Sequence, residues 1–521
     1  MMDVPVQKVS THKFLAAFVV ILLLAFYGVF LTHKINLVTA DLGRHLKNGE
    51  IFVQTGHIVA TNFYSYTNPD FSTLNHHWGS GVLFYLILRV GGFVGVQMLF
   101  IVVSMAALAI FLCIAAGDIG LGGAALLAIP IIPLLAERTE VRPEALTSLF
   151  AALFLCLLVR FWRDEKRWKG LWFLPALMLV WVNTHIYFFL GFAIMGTFLV
   201  EYLLKRQWLR FKRLSAVFGA TLLATLVNPF GLSGVLAPFT IFKNYGYDLV
   251  ENKSVFFLER LGIHEPNFLI FKIIFAFLLA SFVIAAVRRG KELPISFICL
   301  AAGLSAMAWF AIRNFALFGL FALPLLAYNI SLFVPRSREI AAENIRRKIA
   351  AGLLAFLLLV TVSGDWARYF PYWHESGLGL ESGNMAAADF LKTQNVRGPI
   401  FNNYDIGGYL IYALYPREKV FVDNRPEAYP AGFFQNEYVP IQHDDAAWRE
   451  AEQRYRFNAI VFAYRDATPW AQEFLIHRIQ DISWIPVFAD SQVLILLKQN
   501  EQNKPVITQY EIPRDRFGMA Q

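Results

Sequence analysis

The stretch FLAAFVVILLLAFYGVFL, residues 14–31, carries no charge and no proline. Wound as a helix it is about 27 Å long, close to the ~30 Å hydrocarbon thickness of a bilayer. A second such run, VGVQMLFIVVSMAALAIFLCIA, occupies 94–115. Reading outward, apolar segments recur at 78–90, 144–162, 170–184, 186–204, 213–228, 268–287, 293–308, 314–333 and 348–363, about 11 expected spans in all. The first run is read as an anchor, not a cleaved leader, because no small-residue cleavage site follows it and further spans do.

Composition agrees. The 521 residues are 57% hydrophobic and 16% charged, where soluble chains carry roughly 25% charged residues. A net charge of +8 does not indicate nucleic-acid binding, because the basic residues lie in short loops between spans, and that placement encodes membrane topology. Cys113, Cys156 and Cys299 sit in apolar segments, with neither metal-ligand spacing nor a disulfide framework, and read as small core side chains.

Basic loops at 160–169, 205–213, 288–291 and 336–348 are expected together in the cytoplasm, with the N-terminus. The parity then requires segment 120–136, with Pro130 and Pro133, to be re-entrant, entering and leaving by the outer side. On this topology the outer face receives the 33–77 loop, the charged run 137–144, residues 183–185, the 228–267 loop and Arg313. The expected architecture is a polytopic helical membrane domain over 1–363, including a first outer loop at 33–77, and an extracytoplasmic α/β domain over 364–521. Within the latter, strands are expected at 399–402, 419–422 and 459–463, with a hairpin over 485–498.

The outer segments carry the candidate chemistry. Asp41-Leu-Gly-Arg44-His45 opens an amphipathic helix running to Gly56, with Leu42, Leu46 and Val53 on one face. A carboxylate at a helix start is stabilised in its charged form and can accept a proton from a hydroxyl; a plain helix-start charge is the structural alternative. Glu137-Arg138-Thr-Glu140-Val-Arg142-Pro-Glu144 packs five charges between apolar segments. Guanidinium forks there suit a phosphate, and an internal ion-pair cluster is the alternative. Arg313, flanked by apolar sequence, is costly in lipid unless it faces a cavity or snorkels to the interface. Asn183 and His185 could bond sugar hydroxyls or merely close a turn. His76, His77, His45 and Asp41 give poor metal-ligand spacing, so no metal site is expected.

Together, several motifs resemble the GT-C superfamily of membrane glycosyltransferases, which includes protein O-mannosyltransferases and aminoarabinose transferases, and more nearly a poorly characterised bacterial branch of it. The resemblance rests on Asp41-Leu-Gly-Arg44-His45 with Gly49, Tyr64-Ser-Tyr66, His77-Trp78, Arg142-Pro-Glu144, Trp181 to His185, Asn228 to Gly231, Arg313-Asn314, Asn402 to Leu410 and Val420 to Arg425. It implies a transferase drawing sugar from a polyprenyl-phosphate donor, in a bacterial cytoplasmic (inner) membrane, with Asp41 as catalytic base. Arg313, Arg138 and Arg142 would bind the donor phosphate, and His45, His77, Glu144, Asn183 and His185 would contact substrate. Relatives often pair two acidic residues in the first loop. Here Leu42 follows Asp41, so no metal cofactor is expected. The acceptor would be lipid, glycan or protein. A lipid-linked-sugar flippase is the competing reading, disfavoured by spans nearly free of midplane charge; a non-catalytic membrane scaffold is another.

Overall fold

The computed structural model describes residues 6–240, 245–247, 249–333, 339–363 and 375–518. The expected domain boundary at 363/364 adjoins residues outside that set. The chain divides into two compact units. One comprises 1–33, 98–228 and 249–377; the other comprises 34–97, 229–248 and 378–521. The 33–77 loop thus falls almost wholly with the C-terminal residues, although sequence grouped it with the helices.

The first unit is a bundle of apolar helices. Long enough to cross a membrane, among the described residues of the whole chain, are six helical stretches: Lys13–Leu31, Trp78–Arg138, Glu144–Arg163, Ile186–Leu204, Pro266–Glu292 and Ile312–Ser331. Ile295–Phe310 is apolar but shorter. The basic loops meet at one end of this bundle. There Arg163 pairs with Asp118 at 2.7 Å and Arg213 with Glu165 at 2.8 Å, while Arg347 bonds Glu343, which accepts the Gly122 amide at 2.7 Å. At the same end the Trp162 ring packs on Tyr328, whose hydroxyl donates to the Glu292 carbonyl. Cys113 and Cys299 are exposed on apolar helices and do not fill the core.

The 61-residue helical stretch from Trp78 is not one rod. Gly92 and Gly120 have φ of 61° and 79°, left-handed values that interrupt an α-helix. At Gly92 the chain doubles back: a Cβ on Gly95 would lie 3.4 Å from the Ile87 carbonyl oxygen, whereas eight residues of straight helix separate their ends by about 12 Å. The helix before Gly92 is about 20 Å long, short of a crossing, and belongs to the second unit.

The expected re-entrant turn is corrected as well. From Gly122, at the basic end, helical structure continues through the turns Ile129–Ile131, Ile132–Leu135 and Ala136–Arg138, and Arg138 lies at the opposite end beside Glu144 and Glu251. Pro130 lies in a 3₁₀ turn and Pro133 opens the α-helical turn after it, and neither reverses the chain. Residues 120–136 therefore run on along the bundle, and residues 78–90 are the shorter helical segment.

The second unit holds a four-stranded sheet ordered β1-β2-β4-β3, with β1 Ile400–Asn402, β2 Ala459–Ala463, β3 Trp484–Ala489 and β4 Val493–Lys498. β1 and β2 run parallel, the other pairs antiparallel. Residues 419–422, expected as a strand, form a single bridge between Val420 and Ser65. Side chains replace the ladder on either side: Asn402 accepts from the Phe421 amide and donates to the Val422 carbonyl, and the Tyr429 hydroxyl accepts from the Asp423 amide. The 33–77 loop is knitted in the same way, with Tyr66 donating to the Ile400 carbonyl at 2.8 Å and Ser65 to the Phe421 carbonyl at 3.0 Å.

Candidate functional site

In the bundle unit, the end opposite the basic loops gathers three arginines. Arg138 and Arg142 flank the turn before helix Glu144–Arg163, and Arg313 lies on the turn Ile312–Asn314 between two apolar helices. All three converge on Glu251 of the turn Val250–Asn252: Arg138 at 2.6 Å, Arg142 and Arg313 at 3.5 Å each. Glu144 adds a carboxylate 3.6 Å from both Arg138 and Arg313, and Glu140 pairs with Arg142 at 2.6 Å. Arg313 also donates to Asn252 at 2.9 Å and lies 5.7 Å from the centre of the Tyr187 ring. Burial opposes the charge of Glu251, but Arg138, Arg313 and Arg142 together hold its carboxyl below the usual carboxylate range. Arg138 is not saturated: its Nε and Nη2 are buried and have no hydrogen-bond partner among the described residues. Charge-assisted donors left unmet in such a place are costly unless a ligand takes them up.

His185 stands beside this cluster, 2% exposed. Its Nδ1 accepts from the Tyr187 amide at 3.3 Å and meets the Thr147 hydroxyl at 2.8 Å. Nδ1 is therefore the unprotonated nitrogen of a neutral ring. Burial pushes the imidazole down to about 4, with Glu144 opposing and Arg313 reinforcing that shift. The Asn183 amide donates to the carbonyls of Leu179 and Val227 at 2.8 and 2.9 Å, stapling the ends of two helices.

In the second unit, helix Leu42–Thr55 starts at Asp41 and stops at Gly56, which has φ of 72°. Leu42 and Leu46 are buried, whereas Val53, expected beside them, is 43% exposed. Asp41 occupies the N-cap position, yet its carboxylate makes no capping bond. It accepts instead from the Asn424 amide, and Asn424 in turn accepts from Arg44 Nε at 3.2 Å. Glycines allow this approach. A Cβ at Gly43 would come 2.7 Å from the Gly408 carbonyl oxygen, so the bare backbone of Gly43 lets the Asp41 helix dock on helix Gly407–Leu414. Glu427 belongs to the same neighbourhood; burial raises its carboxyl, with Arg44 opposing. Asp423 and Arg425 form a buried pair at 2.7 Å, and Arg425 also donates to Asn62. His45 and His77 pack edge to face with ring centres 5.2 Å apart, and His76 lies against His77. Among the described residues no three His, Cys, Asp or Glu side chains are placed to share an ion.

Sequence reasoning missed Glu251, Asn252 and Tyr187 in the bundle. It also gave no role to Asn424 and Glu427, although the Val420 to Arg425 motif contains the former.

No protein-family model and no curated protein matches this sequence. Solved structures match by fold. The archaeal oligosaccharyltransferase AglB from Archaeoglobus fulgidus, in complex with an inhibitory peptide and a dolichol-phosphate, aligns at TM-score 0.61 and 11% identity over 95% of this chain and 75% of its own. ArnT from Cupriavidus metallidurans bound to undecaprenyl phosphate aligns at TM-score 0.54 and 12% identity, covering 95% of this chain and 99% of ArnT. The arabinofuranosyltransferase AftD from mycobacteria aligns at 0.51 and 15% identity, over 94% of this chain and 40% of AftD. These neighbours are GT-C superfamily membrane glycosyltransferases, and this chain has their fold.

Proposed function

We propose that the protein is a GT-C-type glycosyltransferase that takes sugar from a polyprenyl-phosphate donor at the outer face of the bacterial cytoplasmic membrane, with residues 378–518 on that side. The observation that carries the reading is the convergence of Arg138, Arg142 and Arg313 on one carboxylate, Glu251. That constellation is what a phosphate asks for, and Arg138 keeps unmet donors to offer it. Two neighbours, solved with dolichol-phosphate and with undecaprenyl phosphate, support the ligand class.

In the proposed step Asp41 takes the proton of the acceptor hydroxyl. The acceptor oxygen bonds to the anomeric carbon as the bond from that carbon to the phosphate oxygen breaks, with inversion. The electron pair leaves with the polyprenyl phosphate, and the arginines stabilise its charge. The step uses no metal, consistent with Leu42 following Asp41. Acceptor classes are lipid, glycan and protein hydroxyls.

The test is binding of undecaprenyl phosphate to the purified full-length protein, with Arg313→Ala and Asp41→Asn alongside. Arg313→Ala is expected to weaken binding roughly tenfold or more, and Asp41→Asn to leave it unchanged. No binding by the wild type removes the donor assignment and puts the scaffold reading ahead.

A further inference from the structure

We propose that Asn424 is a positioning residue for Asp41: its side-chain amide fixes the carboxylate and holds it in the charged form. The inference rests on the reading of Asp41 as the acceptor base and assigns the C-terminal segment a part in the reaction.

Donor and acceptor chemistry fixes the orientation of the Asn424 amide. Arg44 has only hydrogens to give, so the oxygen of Asn424 must face its Nε, 3.2 Å away. The NH₂ group then points to Asp41, whose Oδ1 accepts. A donor aimed at a carboxylate stabilises the ionised form over the protonated one. Arg44 thus acts on Asp41 through Asn424. The Asp41 side chain makes no capping bond to its own helix, and its Oδ1 accepts from Asn424.

Residue 424 is held from both sides. Asp423 and Arg425 are locked in a buried bidentate pair, Arg425 donates to Asn62 at 2.7 Å and stacks over Tyr64, and the Asp423 amide donates to Tyr429. A side chain between two such anchors loses little further entropy in holding one rotamer. The other charged or titratable groups around Asp41 are Arg44 on its own helix, Glu427 beyond Arg425, and Tyr404 and Asp405 on the loop after β1; Tyr404 feels both Glu427 and Asp41.

The experiment reads Asp41 directly and needs no substrate. The full-length protein in detergent is treated with a water-soluble carbodiimide and glycinamide across a pH series, and label on Asp41 is quantified by mass spectrometry, because only the protonated carboxyl reacts. Wild type is compared with Asn424→Asp and Asn424→Ser, with thermal melting as the check on folding. Asn424→Asp replaces a donor with a like charge and is expected to move half-labelling up by roughly one pH unit, about tenfold more label at a fixed mildly acidic pH. Asn424→Ser is expected to move it in the same direction by less, and it decides the matter where Asn424→Asp fails to fold. Folded variants that label like wild type overturn the proposal. Failure of the base assignment is read separately, as continued sugar transfer by Asp41→Asn.

Discussion

The two units handle charge in opposite ways. In the bundle, Arg138, Arg142 and Arg313 face Glu140, Glu144 and Glu251, a formally neutral network of half-buried groups in which each arginine meets a glutamate. In the second unit, Asp41 is held by a neutral amide, with the cation one residue removed. A neutral network can exchange one carboxylate for a phosphate without burying a net charge, because the incoming anion replaces the one that leaves. A carboxylate held by a neutral amide keeps its charge and gives up less basicity than a direct ion pair would take from it. The first arrangement suits binding and release of an anion, the second a proton acceptor.

The sharpest way to break this contrast is Asp41→Asn. The substitution keeps size and removes the base, and transfer from undecaprenyl-phosphate sugars is expected to fall roughly a thousandfold, within the range attributed to general bases. Undecaprenyl phosphate affinity should hold. Loss of binding and turnover together would mean that Asp41 serves the fold and not the chemistry.

The next effect sharpens the bundle side. If Glu251 stands where a phosphate would be drawn, Glu251→Gln frees three guanidiniums at nearly constant shape. Affinity for undecaprenyl phosphate is then expected to rise about fivefold, equivalent to ~1 kcal/mol for a partly exposed ion pair. An ion-pair lock with no ligand would behave otherwise: affinity would stay flat and the melting temperature would drop.

How much of this was legible in sequence follows from the range of each signal. Runs such as 14–31 announce a membrane helix because the bilayer sets their length and polarity locally. The strands at 400–402, 459–463 and the 484–498 hairpin were similarly visible as short apolar runs with turn residues between them. Segments 78–90 and 120–136 were misread because hydropathy does not report where a helix breaks, and the decisive residues, Gly92 and Gly120, act through φ alone. Within the sites, Asp41 and Arg313 stood out because a charge beside apolar sequence needs a partner. Their partners did not. Asn424 lies 383 residues from Asp41, and Glu251 is 62 residues from Arg313 in a loop with no pattern. The resemblance motif around Val420 marked the first region without saying which side chain mattered.

The last test concerns His185, on stability and not on activity, and asks whether the arginine cluster shapes its surroundings. Burial holds the ring neutral and pushes it down to about 4, with Glu144 working against that shift and Arg313 and Arg138 with it. An unfolded histidine titrates near ~6.5. Between that value and about 4 the unfolded chain binds a proton that the folded chain refuses. Stability from this residue is therefore complete above the unfolded value, is lost progressively as pH falls through the window, and levels off below it. The loss is at most about 3 kcal/mol, at 1.36 kcal/mol per unit. In His185→Gln the side-chain oxygen can still accept from Tyr187 and Thr147, but the proton sink is gone. The melting temperature of the wild type should fall more steeply than that of the variant as pH is lowered across the window, since the carboxylates titrate alike in both. Parallel curves would mean that His185 takes its proton in the folded protein. In that case Glu144 would outweigh burial and the two nearby arginines, and the cluster would be more negative toward its neighbours than its ion pairs imply.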